Sequence, residues 1–294
     1  MKVVVAGGSG FIGRRLARRL VDRGDHVTIL TRNPDRPAEE GLKWAAYGDG
    51  PFDADVVVNL AGENLFGKRW SQKQKAVMRK SRVDQTAALV ARMASEPRPK
   101  VLVQASAIGL YGDRGDEMLD EASKPGAAGV FLTDVCRDWE MAARAANDYG
   151  VRVVLLRIGV VLGPEGGAVK AMGTPFRFFA GGPVGSGRQW MSWVHAEDLV
   201  GLVLHCVDNE DTSGPINGAA PNPERMNAFC KALGRAMGRP SWLPVPGFVL
   251  RVLLGEVATV LLGSQRVLPK HAEVSGFVFR HPDLGEALKD LLGR

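Results

Sequence analysis

Three glycines spaced as G-x-G-x-x-G, Gly8, Gly10 and Gly13, follow the apolar run at residues 3–6 and lead straight into a helix-length segment. Glycine first permits a tight turn, next lets backbone approach a pyrophosphate, and last allows close helix–strand packing. The free N–H groups of the helix start then face the anion. Gly7, Ser9, Phe11 and Ile12 complete the loop, whose place between strand and helix raises a weak motif to a strong one. About twenty residues on, a site for NAD would carry a carboxylate to bind the ribose 2′-hydroxyl. This sequence instead reads Thr31-Arg32-Asn33-Pro34. Arg32 can pair with a 2′-phosphate and stack on adenine, so the expected cofactor is NADP(H). The plainer reading of Arg32 is a surface arginine on a loop.

Apolar runs of strand length alternate with amphipathic segments of helix length around this loop. Strands are expected at 3–6, 27–30, 56–60, 101–105 and 151–158, and helices at 11–23, 72–94, 130–147 and 198–207. Such alternation implies an α/β fold, a Rossmann-type doubly wound parallel sheet with helices on both faces. Residues 1–165 are expected to form the dinucleotide-binding domain, its sheet completed by parts of 190–220. Residues 166–294 read as substrate-side segments and a smaller, largely helical C-terminal lobe, with a soft boundary between the two.

The chain of 294 residues is 45% hydrophobic and 24% charged, the balance of an ordinary soluble protein. Its net charge of +6 raises the question of nucleic acid. The basic residues are dispersed, however, and the densest group (Arg14, Arg15, Arg18, Arg19, Arg23) has helical spacing. That pattern describes a solvated helix face, so no nucleic-acid partner is expected. Cys136, Cys206 and Cys230 lie far apart, and no His/Cys cluster has metal-ligand spacing; a reduced cytoplasmic chain without a metal is expected. The longest apolar stretch, 248–262, is interrupted by Arg251 and Glu256 and is too short to span a membrane. It reads as a helix packed within the protein, and no membrane contact is expected. The sequence does not fix the oligomeric state.

Further motifs carry a resemblance over essentially the whole chain. Asn59-Leu60-Ala61-Gly62-Glu63-Asn64, Lys68-Arg69-Trp70, Ser106-Ala107-Ile108-Gly109-Leu110-Tyr111-Gly112 and Val135-Cys136-Arg137-Asp138-Trp139-Glu140 belong to it. So do the runs 157–163, 181–198, 263–269 and 276–282. With the glycine loop, the chain resembles the atypical extended short-chain dehydrogenase/reductases, the YfcH-like "epimerase family" proteins. The resemblance implies that Leu60, Ala61 and Gly62 pass beside the cofactor and that Ile158, Gly159 and Val160 meet the nicotinamide. It also implies an NADP(H)-dependent oxidoreductase or epimerase-like enzyme acting by hydride transfer on a small polar substrate.

One departure stands against that activity. Active relatives use Ser or Thr with Tyr-x-x-x-Lys for proton transfer. Here the Tyr and Lys positions hold Leu132 and Cys136, the Ser/Thr position holds Ala107 with Ser106 one residue away, and no Tyr-x-x-x-Lys occurs. Substitute acid–base candidates are Glu63, Tyr111 and His195, each with a plain alternative as a loop carboxylate, a packed aromatic and a satisfied histidine. Lys68, Arg69, Arg188 and Trp190 are candidates for holding an anionic substrate. Arg188 is then expected to share a cavity with the nicotinamide end of the cofactor. A second function class stays open: a catalytically silent NADPH-binding sensor or regulatory protein.

Overall fold

A computed structural model describes residues 1–293 apart from 38, 49 and 165. The chain begins β1 (Lys2–Ala6), α1 (Phe11–Asp22), β2 (His26–Leu30), β3 (Leu42–Ala45), β4 (Val56–Asn59), α2 (Gln72–Lys80) and α3 (Val83–Ala91). It continues β5 (Val101–Ala107), β6 (Met118–Leu119), α4 (Phe131–Arg144), β7 (Arg152–Ile158), β8 (Val160–Leu162) and α5 (Gly167–Arg177). Next come β9 (Trp190–Met191), β10 (Trp193–His195), α6 (Ala196–Asp208), β11 (Gly214–Gly218), β12 (Glu224–Arg225) and α7 (Met226–Met237). The chain closes with α8 (Gly247–Leu254), α9 (Ala258–Leu262), β13 (Arg266–Val267), α10 (Lys270–Val274) and α11 (Leu284–Leu292).

Seven strands form one sheet in the order β11-β7-β5-β4-β1-β2-β3, and every neighbouring pair is parallel. This is the doubly wound, Rossmann-like sheet that the alternation implies. Both faces are covered, so strands such as Val56–Asn59 are apolar almost throughout rather than alternating. Val3 and Val5 pack beneath α1 and α6, whereas Val4 and Ala6 face Leu89, Met93 and Ala143 on the other side. A third core, built on Trp193, Phe176, Phe229 and Leu288, holds the helical C-terminal part together.

Two expectations are corrected. The helix expected over 72–94 is broken: Ser81 Oγ donates to Met78 O and accepts from Glu63 N. Arg82 then turns inward before α3 starts. The stretch 248–262, expected to pack inside, is divided at Gly255, and α8 has no buried residue.

The strands meet at a buried ionic centre. Arg157 on β7 and Glu140 on α4 form a bidentate pair at 2.8 and 3.0 Å, each side chain 6% exposed. Ser106 Oγ on β5 donates to the same carboxylate at 2.8 Å. Arg157 Nη1 donates to Tyr111 Oη, which donates to Asn217 Oδ1 on β11. Asn217 in turn donates to Leu268 O, tying the C-terminal segment to the sheet. Burial pulls the Arg157 guanidinium down, but the Glu140 and Tyr111 contacts outweigh it and hold it above the ordinary arginine value. Breaking such a pair from one side strands a buried charge. Arg157→Met should therefore cost about 3–5 kcal/mol of unfolding free energy. The double variant Arg157→Met, Glu140→Gln should recover much of that loss in a denaturant titration; equal stability of the two variants would mean that the charges are not coupled.

Candidate functional site

Successive strands β1, β2 and β3 step one way across the sheet, and β4 returns to the other side of β1. The crevice at the carboxyl ends of β1 and β4 is the topological switch point, where doubly wound sheets bind ligands. A cavity of about 340 Å³ opens there, lined by Gly7, Ser9 and Gly10 after β1, by Thr31, Arg32, Asn33 and Arg36 after β2, and by Leu60–Glu63 after β4.

The glycines are required by geometry. Gly7 has φ +77°, and a Cβ on it would lie 2.7 Å from the Leu60 carbonyl. A Cβ on Gly13 would lie 2.3 Å from Gly7 O, so α1 can dock on the loop only without a side chain there. Gly10 caps α1 with no side-chain hydrogen bond, and the first turn carries no acidic residue. Its unpaired N–H groups are therefore open to a bound anion, and the cradle fits a pyrophosphate. Gly8 packs on Ile29 and Phe11 on Gly163 and Gly166, so these two serve packing. Neither Ile12 nor Gly13 lines the cavity.

Several lining residues lay outside the sequence reading: Arg36, Tyr47, Ser81 and Gln85. Arg36 lies over the Trp44 ring at 4.7 Å, which holds a second cation beside Arg32. Tyr47 is close enough to Arg32 to feel its charge, though burial still pushes the phenol up. Among the described residues Glu63 is the one carboxylate that lines the cavity, and it belongs to the β4 end. Arg82 donates to Glu63 O at 2.9 Å and packs its guanidinium on Gly62 and over Trp139. Burial lowers its pKa.

The other candidates are distributed elsewhere. Tyr111 is fully buried, its hydroxyl engaged by Arg157 and Asn217, and burial raises its pKa. Leu132 and Cys136 face Gly109, and burial pushes the Cys136 thiol up to about 12. Ile158, Gly159 and Val160 do not line the cavity; Gly159 is pinned by its N–H to Gly218 O and by the Ser192 carbonyl. Arg69 donates to Val252 O on α8, and Lys68 is exposed; neither lines the switch-point cavity.

Arg188 lines a second, open cavity of about 670 Å³ with Asp116, Gln189, Arg225 and Asn227, which shares no lining residue with the first. Trp190 lies beneath two guanidinium groups, Arg225 at 4.2 Å and Arg266 at 4.5 Å, and donates to Asp116 at 3.0 Å. Asp116 belongs to the loop that leads from β5 to β6.

His195 caps α6, its Nδ1 accepting from Glu197 N at 3.2 Å. Its ring lies 3.9 Å from that of His281, and Nε2 is 3.3 Å from Asp290 Oδ2, off the angle of a good hydrogen bond. The buried Asp198 carboxylate accepts the amides of Arg280 and His281. His195, His281 and Asp290 bring their ligating atoms within 4.8 Å of one another, a grouping that sequence spacing could not show. The cap decides its chemistry. With Nδ1 accepting, the neutral ring carries its proton on Nε2, the atom a metal would need, whereas metal-bound histidines donate from their other nitrogen. The group brings the start of α6 beside the segment before α11 and α11 itself.

Residues 3–219 match the NAD dependent epimerase/dehydratase family, and residues 245–291 match a domain of unknown function, DUF1731. The chain belongs to the NAD dependent epimerase/dehydratase family. It is 43% identical to the Arabidopsis thaliana chloroplastic homolog of epimerase family protein SDR39U1, over 99% of this chain and 87% of that protein. It is 39% identical to epimerase family protein YfhF of Bacillus subtilis, over 99% and 98%. The crystal structure of human epimerase family protein SDR39U1 (isoform 2) with NADPH superposes with a TM-score of 0.92 at 35% identity, covering both chains in full. Among the described residues no helix is long and apolar enough to cross a membrane.

Burial, then the neighbouring His281, lowers the His195 pKa below its ordinary value near 6.5. The unfolded chain therefore binds this proton more readily than the folded one, and stability is lost as pH falls below about 6.5. Asparagine can cap the helix without titrating. His195→Asn should flatten the fall in unfolding free energy between about pH 6.5 and 5; an unchanged slope would assign it to other groups.

Proposed function

We propose that this protein is an NADP(H)-dependent oxidoreductase acting on a small polar, anionic substrate. The observation that carries the reading is the charge of the switch-point cavity: Arg32 and Arg36 at its β2 end and, as the one lining carboxylate among the described residues, Glu63 at the β4 end. A carboxylate after β2 favours a free ribose 2′-hydroxyl, whereas two cations favour a 2′-phosphate. The NADPH in the human relative supports the same choice.

When bound, NADPH supplies a hydride from C4 of its nicotinamide. The chain's own part is to hold the pyrophosphate on Gly7–Gly10 and the start of α1, to clamp the 2′-phosphate with Arg32 and Arg36, and to manage a proton. Glu63 is the group for that proton, because Ser106 and Tyr111 are committed to the ionic centre and the Cys136 thiol is held neutral. Arg188, Arg225 and Asn227 in the second cavity supply donors for an anionic substrate.

A second reading has its own observation. Leu132 and Cys136 leave no tyrosine–lysine pair on α4, which suits a protein that binds NADPH without turning over. The two separate on whether NADPH is oxidised when a broad panel of carbonyl substrates is added. Tight binding with no oxidation favours the silent binder.

Arg32→Ala should raise the Kd for NADPH roughly ten- to a hundred-fold, the worth of a charge-assisted contact, while changing that for NADH little. Equal losses for both cofactors in a fluorescence titration would remove the 2′-phosphate assignment. Where turnover is found, Glu63→Gln should lower kcat by roughly a hundred-fold or more with NADPH affinity retained; an unchanged kcat would clear Glu63 of proton transfer.

A further inference from the structure

The lobe built on α5, α7 and α8 carries an unusual charge pattern. Residues 166–196 and 225–255 contain no aspartate or glutamate, yet they hold eight lysines and arginines. The two segments pack together: Trp242 N and Leu243 N both donate to Gly181 O, and Val184 bridges Val245. Arg177, Lys231, Arg235 and Arg251 are exposed, and among the described residues none of them has an ion-pair partner. Lys231 and Arg235 stand four residues apart on α7, where like charges repel unless an anion comes between them and solvent. The nearest carboxylate beyond α8, Glu256, is already paired with Lys75 at 2.5 Å.

Large apolar side chains project from the same lobe. Phe178, Trp242, Phe248 and Val252 are 77%, 64%, 69% and 69% exposed. Phe248 and Val252 are one helical turn apart on α8, the helix with no buried residue. Phe179 adopts φ 58°, a left-handed conformation that is costly for a bulky side chain, yet its ring is 55% exposed. That conformation is held from two sides, by Trp242 Nε1 donating to Phe179 O and by Arg239 lying over the ring at 4.4 Å. Strain spent on keeping an aromatic in water points to a use for it.

Exposed aromatics among unpaired cations, on two segments that contain no carboxylate, match the chemistry of an anionic lipid headgroup layer. Its phosphates attract the cations, and its acyl boundary receives the rings. We propose that this lobe docks peripherally on an anionic bilayer surface, with Phe178, Trp242, Phe248 and Val252 entering the interface and Arg177, Lys231, Arg235 and Arg251 meeting the headgroups. The expectation of no membrane contact rested on the absence of a spanning segment, and a surface contact needs none. Docking here is independent of the oxidoreductase reading.

The test is co-sedimentation of the full chain with vesicles of phosphatidylcholine alone or with about one-third phosphatidylglycerol, at low and at physiological salt. Binding to the anionic vesicles only, weakening as salt rises, is expected. Arg235→Gln with Arg251→Gln should lower partitioning roughly five-fold per cation, and Phe178→Ser with Phe248→Ser should abolish the residual binding at physiological salt. Circular dichroism and gel filtration establish that the variants fold, which exposed positions should permit. Absence of binding to anionic vesicles, equal binding to neutral ones, or variants that bind like the parent would overturn the proposal. So would a parent dimer that the phenylalanine variant turns into a monomer without any vesicle binding, which would assign the face to a second copy of the chain.

Discussion

A buried guanidinium–carboxylate pair organises the centre of this molecule. Arg157 and Glu140 could not be left in the core singly, and each needs every oxygen and N–H of the other's fork satisfied. The sheet obliges through Ser106, Tyr111 and Asn217, which come from β5, from the turn after it and from β11. One electrostatic requirement thus fixes the relative positions of β5, β7, β11 and α4, and through Leu268 it reaches the C-terminal segment. The cost falls on chemistry. Ser106 and Tyr111 are the hydroxyls that sequence would nominate for proton transfer, and both are consumed in holding the fold.

The other end of the sheet follows a different logic, that of exclusion. At the β1–α1 turn, backbone is packed so closely against Leu60 and against itself that only glycine fits at positions 7 and 13. Close packing brings the unpaired amides of α1 to the cavity wall with nothing of the protein's own to bind them. The cofactor site is therefore made largely of main chain, and side chains enter at its rim to set selectivity through Arg32 and Arg36.

This division explains what the sequence made legible. The glycine loop, the strand–helix alternation and Arg32 are local features, set by a turn or a short run of residues, and each can be read without knowing its partners. The residues that escaped are those carried in by tertiary structure. Arg36 and Tyr47 reach the cavity because β3, a strand too short for its pattern to declare, folds the chain back beside β2. Arg82 arrives because Ser81 interrupts what periodicity presents as one long helix. Tyr111 and His195 looked equally available in sequence, and only their hydrogen-bond partners show that the first is a core residue and the second a helix cap. The segment 248–262 misled for a simple reason: apolar composition reports a preference to leave water, and burial in this chain's own core is only one way to satisfy it.

The Asp198 carboxylate, 2% exposed at the start of α6, accepts its hydrogen bonds from the amides of Arg280 and His281. Those two amides lie 82 and 83 residues further along the chain, beyond α7 and α8. Until that segment docks, a charged group sits at the start of α6 with no backbone amide to receive, and burying it there carries a penalty. The order in which the helix start and the segment at 280–281 settle is thereby coupled: α6 can be sealed into the core only together with a stretch of chain remote from it in sequence.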